Sequence, residues 1–312
     1  MSDKKAPPLG QADTDSDHAK VKEVIVPCAC NRDVTLDELR GVYPERGTKT
    51  LEKYLDSLNE TMKTYEITSC LRKAHFFAQV GHESAELQYV AEFLDKDPVK
   101  DAEIEKKKYD GYKGRGFIQI SLETNYVAYG DYIKVDLKDE NRKKVEEPKY
   151  AADSAGWYWK VSLDEDLNGP ADQNDLLYIT ARVNGGFNGY EGQATSRLKL
   201  LKNAATALHV TMCPQLDALF TAFPEYEKFS YDSYPLEKSK AYDTPDMSFA
   251  WGLWHDPKSK QQGTKKDATQ AKLGYSRYVE FLDNKAVKSK KKRFNMTREE
   301  MADLAKKRVK EL

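Results

Sequence analysis

The chain has 312 residues, with Lys+Arg at 50 against Asp+Glu at 51 and a formal net charge of −1. That balance excludes a global electrostatic pull toward nucleic acid or an anionic membrane. A hydrophobic content of 39% supports the core of one large domain or two smaller ones, and no run is long and apolar enough to span a bilayer.

The opening stretch, "MSDKKAPPLGQADTDSDHAK", is polar and lacks an apolar signal-peptide core. Residues 1–21 therefore read as a disordered leader or linker. Thr35 is placed to cap a short helix in "VTLDELRGVYP". Amphipathic spacing predicts helices in "TKTLEKYLDSLNETMKTY" and "SCLRKAHFFAQVGHESAELQYV". Residues 95–116, rich in Lys, Asp and Gly, read as a loop with room for a small hairpin. "FIQISLETNYVAYG" starts extended and turns helical. "PKYAADSAGWYWKVS", "DLLYITARVNG" and "ATSRLKLLKNAATAL" read as helices. The predicted fold is mainly α, with long loops and little sheet, over a body of residues 22–210. Beyond it, "FPEYEKFSYDSYPLEKSKAYDTPDMSF" has no period. Helices return in "DATQAKLGYSRYVEFL" and from Thr297 onward, and "KSKKKRF" reads as a solvated linker. Residues 211–312 form a partly helical appendage to which the sequence gives no role.

The chemistry concentrates in "AHFFAQVGHESAELQYVAEFL", where Glu83, Glu86 and Glu92 crowd the end of a helical pattern. Hydrolysis of a glycosidic bond needs two carboxyl groups, one to protonate the leaving oxygen and one to activate water or attack. Glu83 and Glu86 share a helix face. Glu92 would point the opposite way if the helix continued, so it must lie beyond the helix end to cooperate with Glu83. Spacing leaves both Glu86 and Glu92 open as the partner.

Metal and thiol chemistry offers less. Cys28, Cys30, Cys70 and Cys213 read as four reduced thiols; Cys28 and Cys30 are too close to bridge comfortably, and one of them could pair with Cys70 in an oxidising compartment. The CxC pair would be half a zinc site, but no second half follows at a suitable spacing. His75 and His82 share a helix face without an HExxH pattern, so His82 is expected to pack or to support the site. The stretch "DEDLNGPADQND" matches a calcium loop, with Asp164, Asp166, Asn168, Pro170, Asp172 and Asp175 as oxygen donors around Gly169. The departure is Asp175, where a longer Glu would bind bidentately. On that reading Ca2+ would fix the angle between the flanking helices.

"FFAQVGHES", "YKGRGFIQIS-ETNY" and "ITARVNGGFNG" occur in that order. Together they resemble glycoside hydrolase family 19, the chitinases and related lysozyme-type endolysins, from about residue 45 to 210. The resemblance implies a lysozyme-like helical fold and an inverting reaction that needs no cofactor. It makes Glu83 the general acid, Glu92 the second catalytic glutamate, and Ser121 a residue that holds the attacking water. Gln119, Asn125, Tyr126 and Asn184 would meet the sugars, and Arg197 would steady the carboxylates. Ala85 and Glu86 depart from the glycines that usually follow "HES", and Glu86 is expected to add charge near the acid and help raise its pKa. An inverting pair stands roughly 6.5–9.5 Å apart to admit water. The position of Glu92 and the absence of a chitin-binding cysteine module favour peptidoglycan glycan strands as substrate over chitin. The expected setting is an antibacterial effector, such as one of type VI secretion, or an endolysin. It would be made in the cytoplasm and act in the cell wall, with secretion-machine and immunity proteins as partners.

Overall fold

The structure is a computed structural model that describes residues 28–216 and 234–312. The leader at 1–21 and the first part of the aperiodic stretch, 217–233, lie outside the described residues. Among the described residues there is no extended strand, only three isolated bridges, so the mainly helical reading holds.

The first helix, α1 (Leu36–Val42), starts at the expected cap, where Thr35 and Glu38 satisfy each other's backbone N–H groups. Then follow α2 (Thr48–Thr64) and α3 (Cys70–Glu83), the latter capped by Ser69 and buried along nearly its whole length. Residues 95–116 differ from expectation. They contain α4 (Pro98–Tyr109), capped by Asp97 with Pro98 in its first turn. This helix buries only Glu105, so its apolar period is too weak to announce it. Next come α5 (Glu123–Ile133), α6 (Pro148–Trp157), α7 (Asn168–Asp172), α8 (Leu176–Asn184) and α9 (Arg197–Ala207). Helix α9 packs against α3, and the two place the site.

Among the described residues of the C-terminal region are helices α10 (Pro245–His255), α11 (Ala268–Asp283) and α12 (Arg298–Glu311). Asp256 ties them together. It accepts two hydrogen bonds from the buried Arg308 guanidinium, at 2.6 and 2.7 Å, and one from Tyr275. The unit shares one buried core with the rest of the chain. Trp251 stacks edge-on against Phe187 with ring centroids 4.9 Å apart, and Trp254 lies over Gly186, where any Cβ would strike the indole. In "KSKKKRF" the lysines are exposed, while Phe294 packs on Phe249 and Trp254.

Candidate active site

Helix α3 delivers Glu83 at its last turn, and α9 begins at Arg197. The Arg197 guanidinium is fully buried and ion-paired to Glu83, whose side chain keeps 19% of its surface in solvent. Arg197 also donates to the side-chain Oε1 of the buried Gln79, one turn earlier on α3, and its Nε reaches the Asn188 backbone carbonyl at 3.4 Å. Acceptors on all three nitrogens offset part of the cost of burying the guanidinium. The pairing of Arg197 with a candidate carboxylate is therefore present. Gln79 was not singled out in the sequence; its polar side chain one turn before Glu83 on the same helix face was the available signal.

His82 lies beside this pair. It bonds the Thr195 carbonyl at 2.8 Å, and its ring sits against Gly189, whose φ of +69° and closeness leave no room for a Cβ. Burial holds the imidazole below its ordinary pKa, with the Arg197 charge acting the same way, so His82 is neutral at pH 7. It secures the 189–195 loop that leads into Arg197.

After Glu83 the chain turns sharply. Ala85, Glu86 and Leu87 all have positive φ, at 48°, 58° and 65°, without a glycine among them. Such a run is costly and persists only when its surroundings hold it. Arg46 donates to the Ala85 and Glu86 carbonyls, at 2.8 Å each, Ser84 caps the Leu87 N–H, and the Leu87 side chain is fully buried. Glu86 is therefore held on the Arg46 side. It is 4% exposed, one carboxyl oxygen has no hydrogen-bond partner among the described residues, and burial raises its pKa. The charges that bear on Glu86 are those of Arg46, Glu45 and Lys199.

Glu92 follows beyond the turn, off the helix. Its backbone N–H bonds the Gly114 carbonyl at 2.8 Å, while its carboxylate accepts from Tyr109 at 2.9 Å and from the Gly114 N–H at 3.4 Å. Lys108 stands 3.6 Å away. Around Glu92, Tyr89 and Phe93 are largely exposed. The "KGRG" segment that receives Glu92 is fixed from below by Arg115. This residue is 2% exposed and bonds Glu105, Glu146 and the Tyr126 hydroxyl, at 2.8, 2.7 and 3.2 Å. Arg115 and Glu105 were also missed, because a buried Arg–Glu pair reads in sequence like any surface charge.

The expected sugar contacts divide. Gln119, at φ 56°, donates to the Gly116 carbonyl at 2.8 Å and packs over Gly114. Ser121 is half-buried, with its carbonyl held by Asn125, and exposed Leu122 follows it. Asn184 ends α8 just before the 185–191 loop. Tyr126 is fully buried and its hydroxyl serves the Lys113 carbonyl at 2.7 Å, so it supports the Glu92 shelf from inside and presents no surface to a cleft.

The donors of the expected calcium loop, apart from Asp164, are engaged by other groups. Asn168 turns inward, accepting from Trp159 and donating to the Tyr65 carbonyl. The Pro170 carbonyl takes the Asp175 N–H, and Asp172 is ion-paired to Arg72. Asp166 caps the Asn168 N–H and Asp164 is exposed. Asp175, 1% exposed, caps α8 and receives Ser239 and the Lys240 N–H, so it latches the C-terminal region onto the body.

No family model matches the chain. A glycosyl hydrolase family 19 domain-containing protein of Haemophilus influenzae is 34% identical over 89 residues, 28% of this chain and 40% of that protein. Endochitinase CHI of Arabidopsis thaliana is 28% identical over 134 residues, 40% of this chain and 48% of that protein. The chain thus spans less than half the length of these curated relatives. Among solved structures, chitinase C from Streptomyces griseus is 23% identical, covering 59% of this chain and 79% of that one, with a TM-score of 0.44. The ordered motifs and the curated relatives agree, and the sequence resemblance of this chain is to glycoside hydrolase family 19.

Proposed function

We propose that the protein is a glycoside hydrolase that cleaves the β-1,4 glycan backbone of peptidoglycan by inversion. Glu83 serves as general acid and Glu92 as the base that draws a proton from the attacking water. The observation that carries this reading is the buried Arg197–Gln79 brace beneath a partly exposed Glu83. Its guanidinium is enclosed, while Glu83 keeps an open edge that a leaving-group oxygen can reach. Proton donation then needs Glu83 in its protonated form when substrate excludes water, and Arg197 fixes the orientation in which the proton is handed over. Glu92, held by Tyr109 and the Gly114 N–H, accepts hydrogen bonds as a carboxylate, which suits a base. Ser121 would hold the water, and exposed Tyr89 and Phe93 offer faces for sugar rings. Activity on peptidoglycan fits an antibacterial effector or endolysin acting in the wall of a target or host cell.

A second reading, endochitinase, is favoured by the name of the Arabidopsis relative. Digestion of purified walls separates the two. Borohydride reduction and mass spectrometry should find reduced N-acetylmuramic acid at the new ends. Reduced N-acetylglucosamine ends, or turnover of chitin oligomers alone, would reject the muramidase assignment.

A further inference from the structure

The only four cysteines in the chain meet at one point. Cys28 and Cys30 precede α1, Cys70 opens α3 and Cys213 follows α9, yet their sulphurs all lie within 4.8 Å of one another. The second half of the zinc pattern, missing from the sequence as a spaced motif, is supplied by two residues far apart in the chain. We propose that these four thiolates form a closed structural zinc site that clamps the rear end of the α3–α9 pair.

The sulphur geometry fits one central ion better than two disulfides. Cys213 Sγ lies 2.7 Å from Cys28 Sγ and 3.4 Å from Cys30 Sγ, and Cys30 Sγ also accepts the Cys70 N–H at 3.0 Å. Each sulphur thus shares neighbours in place of having one mate. Zinc bound by four thiolates at about 2.3 Å is tetrahedral, with no open position, which matches burial of Cys70 and Cys213 and half-burial of the others. The site would carry net negative charge, and cations flank it. Lys73, 3% exposed, bonds the Ala29 carbonyl at 2.7 Å and the Arg32 carbonyl, while Arg32 bonds the Cys28 carbonyl at 3.2 Å. Thiolate-rich tetrahedral sites select zinc over harder ions.

The site also has a mechanical consequence. Helix α3 runs from Cys70 to Glu83, and α9 runs from Arg197 toward Cys213. One end of the pair carries the sulphurs and the other carries the Glu83–Arg197 pair. A metal at the sulphur end would fix the register that aligns carboxylate and guanidinium at roughly 20 Å distance, the length of α3.

The test uses the full chain purified under reducing conditions without chelator. Elemental analysis should find one zinc per chain, and the four thiols should resist a thiol reagent until the metal is stripped. Cobalt(II) in place of zinc should give the intense visible bands of a tetrahedral tetrathiolate. Cys28→Ser, which alters a half-buried ligand, should lower zinc retention to about a tenth or less, and stripping the metal should lower the melting temperature by about 10 °C. Metal-free protein with four reactive thiols overturns the proposal, and so does a mass lighter by four hydrogens, the mark of two disulfides. None of these readouts depends on glycan cleavage, so the zinc site and the glycosidase reading stand or fall separately.

Discussion

Glu83 and Glu92 are held in opposite ways. Glu83 is carried by a helix buried along its length, and its carboxylate meets a fully buried guanidinium that arrives from the other side of the sequence. Glu92 lies on irregular backbone, against a tyrosine, an exposed-lysine neighbour and one backbone N–H. Groups braced on two packed helices keep their geometry through substrate binding, whereas a group on a loop can follow the substrate. On the roles proposed above, folding alone positions Glu83, whereas Glu92 can adjust when substrate binds.

The largest expected effect comes from breaking the Glu83 side. Glu83→Gln should lower wall lysis by about 10²–10⁴-fold with unchanged circular dichroism, since it removes the proton donor and keeps the shape. Activity above a few per cent of the parent would remove Glu83 from the role. Arg197→Met should add instability to the same loss of activity. It strips the buried Gln79 and the partly exposed Glu83 of their partner, and since breaking a fully buried pair costs about 3–5 kcal/mol, the loss here should lie below that range. Chemical denaturation would read this, and an unchanged midpoint would show that the brace is dispensable.

The Glu92 side should separate chemistry from support. Glu92→Gln should also cripple lysis, by about 10²-fold or more. Tyr109→Phe removes one hydrogen bond to the same carboxylate and should cost only about 3–10-fold. If the tyrosine variant fails as badly as the glutamine variant, Glu92 needs rigid placement and the contrast with Glu83 disappears.

How much of this could be read beforehand follows from the range of the interactions. Helix α1 was legible because Thr35 and Glu38 are three residues apart, and α3 because Phe77, Val80 and their neighbours keep a helical period. Helix α4 was missed although Asp97 and Pro98 mark its start, because its lysines gave no apolar period. The run of positive φ at 85–87 contains no glycine, so nothing in the residues announced it. The cysteine cluster joins positions 28 and 213, and the latch at Asp175 joins 175 to 239 and 240. Contacts of that span leave no local pattern. The calcium loop failed for the complementary reason: its spacing was right, but Arg72, Trp159 and Ser239 engage the oxygens of Asp172, Asn168 and Asp175.

The same latch predicts that the C-terminal region is not a passive extension. Asp175→Asn keeps the volume but weakens acceptance from Ser239 and the Lys240 N–H. Through Trp251 and Phe187 the C-terminal helices press on the loop that ends at Arg197, whose own N–H bonds the Gly189 carbonyl at 2.8 Å. The variant should lose about 1–3 kcal/mol of stability and a smaller part of its activity, read by urea unfolding and lysis on one preparation. Full stability would mean that the apolar contacts suffice to dock the region.

The smallest effect should come from Glu86, the glutamate nearest to Glu83 in sequence. It sits on the far side of the left-handed turn, buried beside Arg46, with one oxygen unpaired among the described residues. Glu86→Gln should therefore leave wall lysis within about twofold, in contrast to both other glutamates. Its signature is instead a pH dependence of stability. Burial raises the folded-state pKa of Glu86 above its usual value, so the folded protein holds this proton more tightly than the unfolded chain. The stabilisation is complete below the unfolded pKa of about 4.3 and is lost as pH rises through the elevated folded value. Above that value the parent carries a buried, incompletely solvated charge that the glutamine variant lacks. Melting temperature plotted against pH should show the variant gaining on the parent as pH rises across this window, with the gap constant above it. Parallel curves from pH 4 to 8 would mean that Arg46 fully compensates the Glu86 charge, and a collapse of lysis in Glu86→Gln would transfer the base from Glu92 to Glu86.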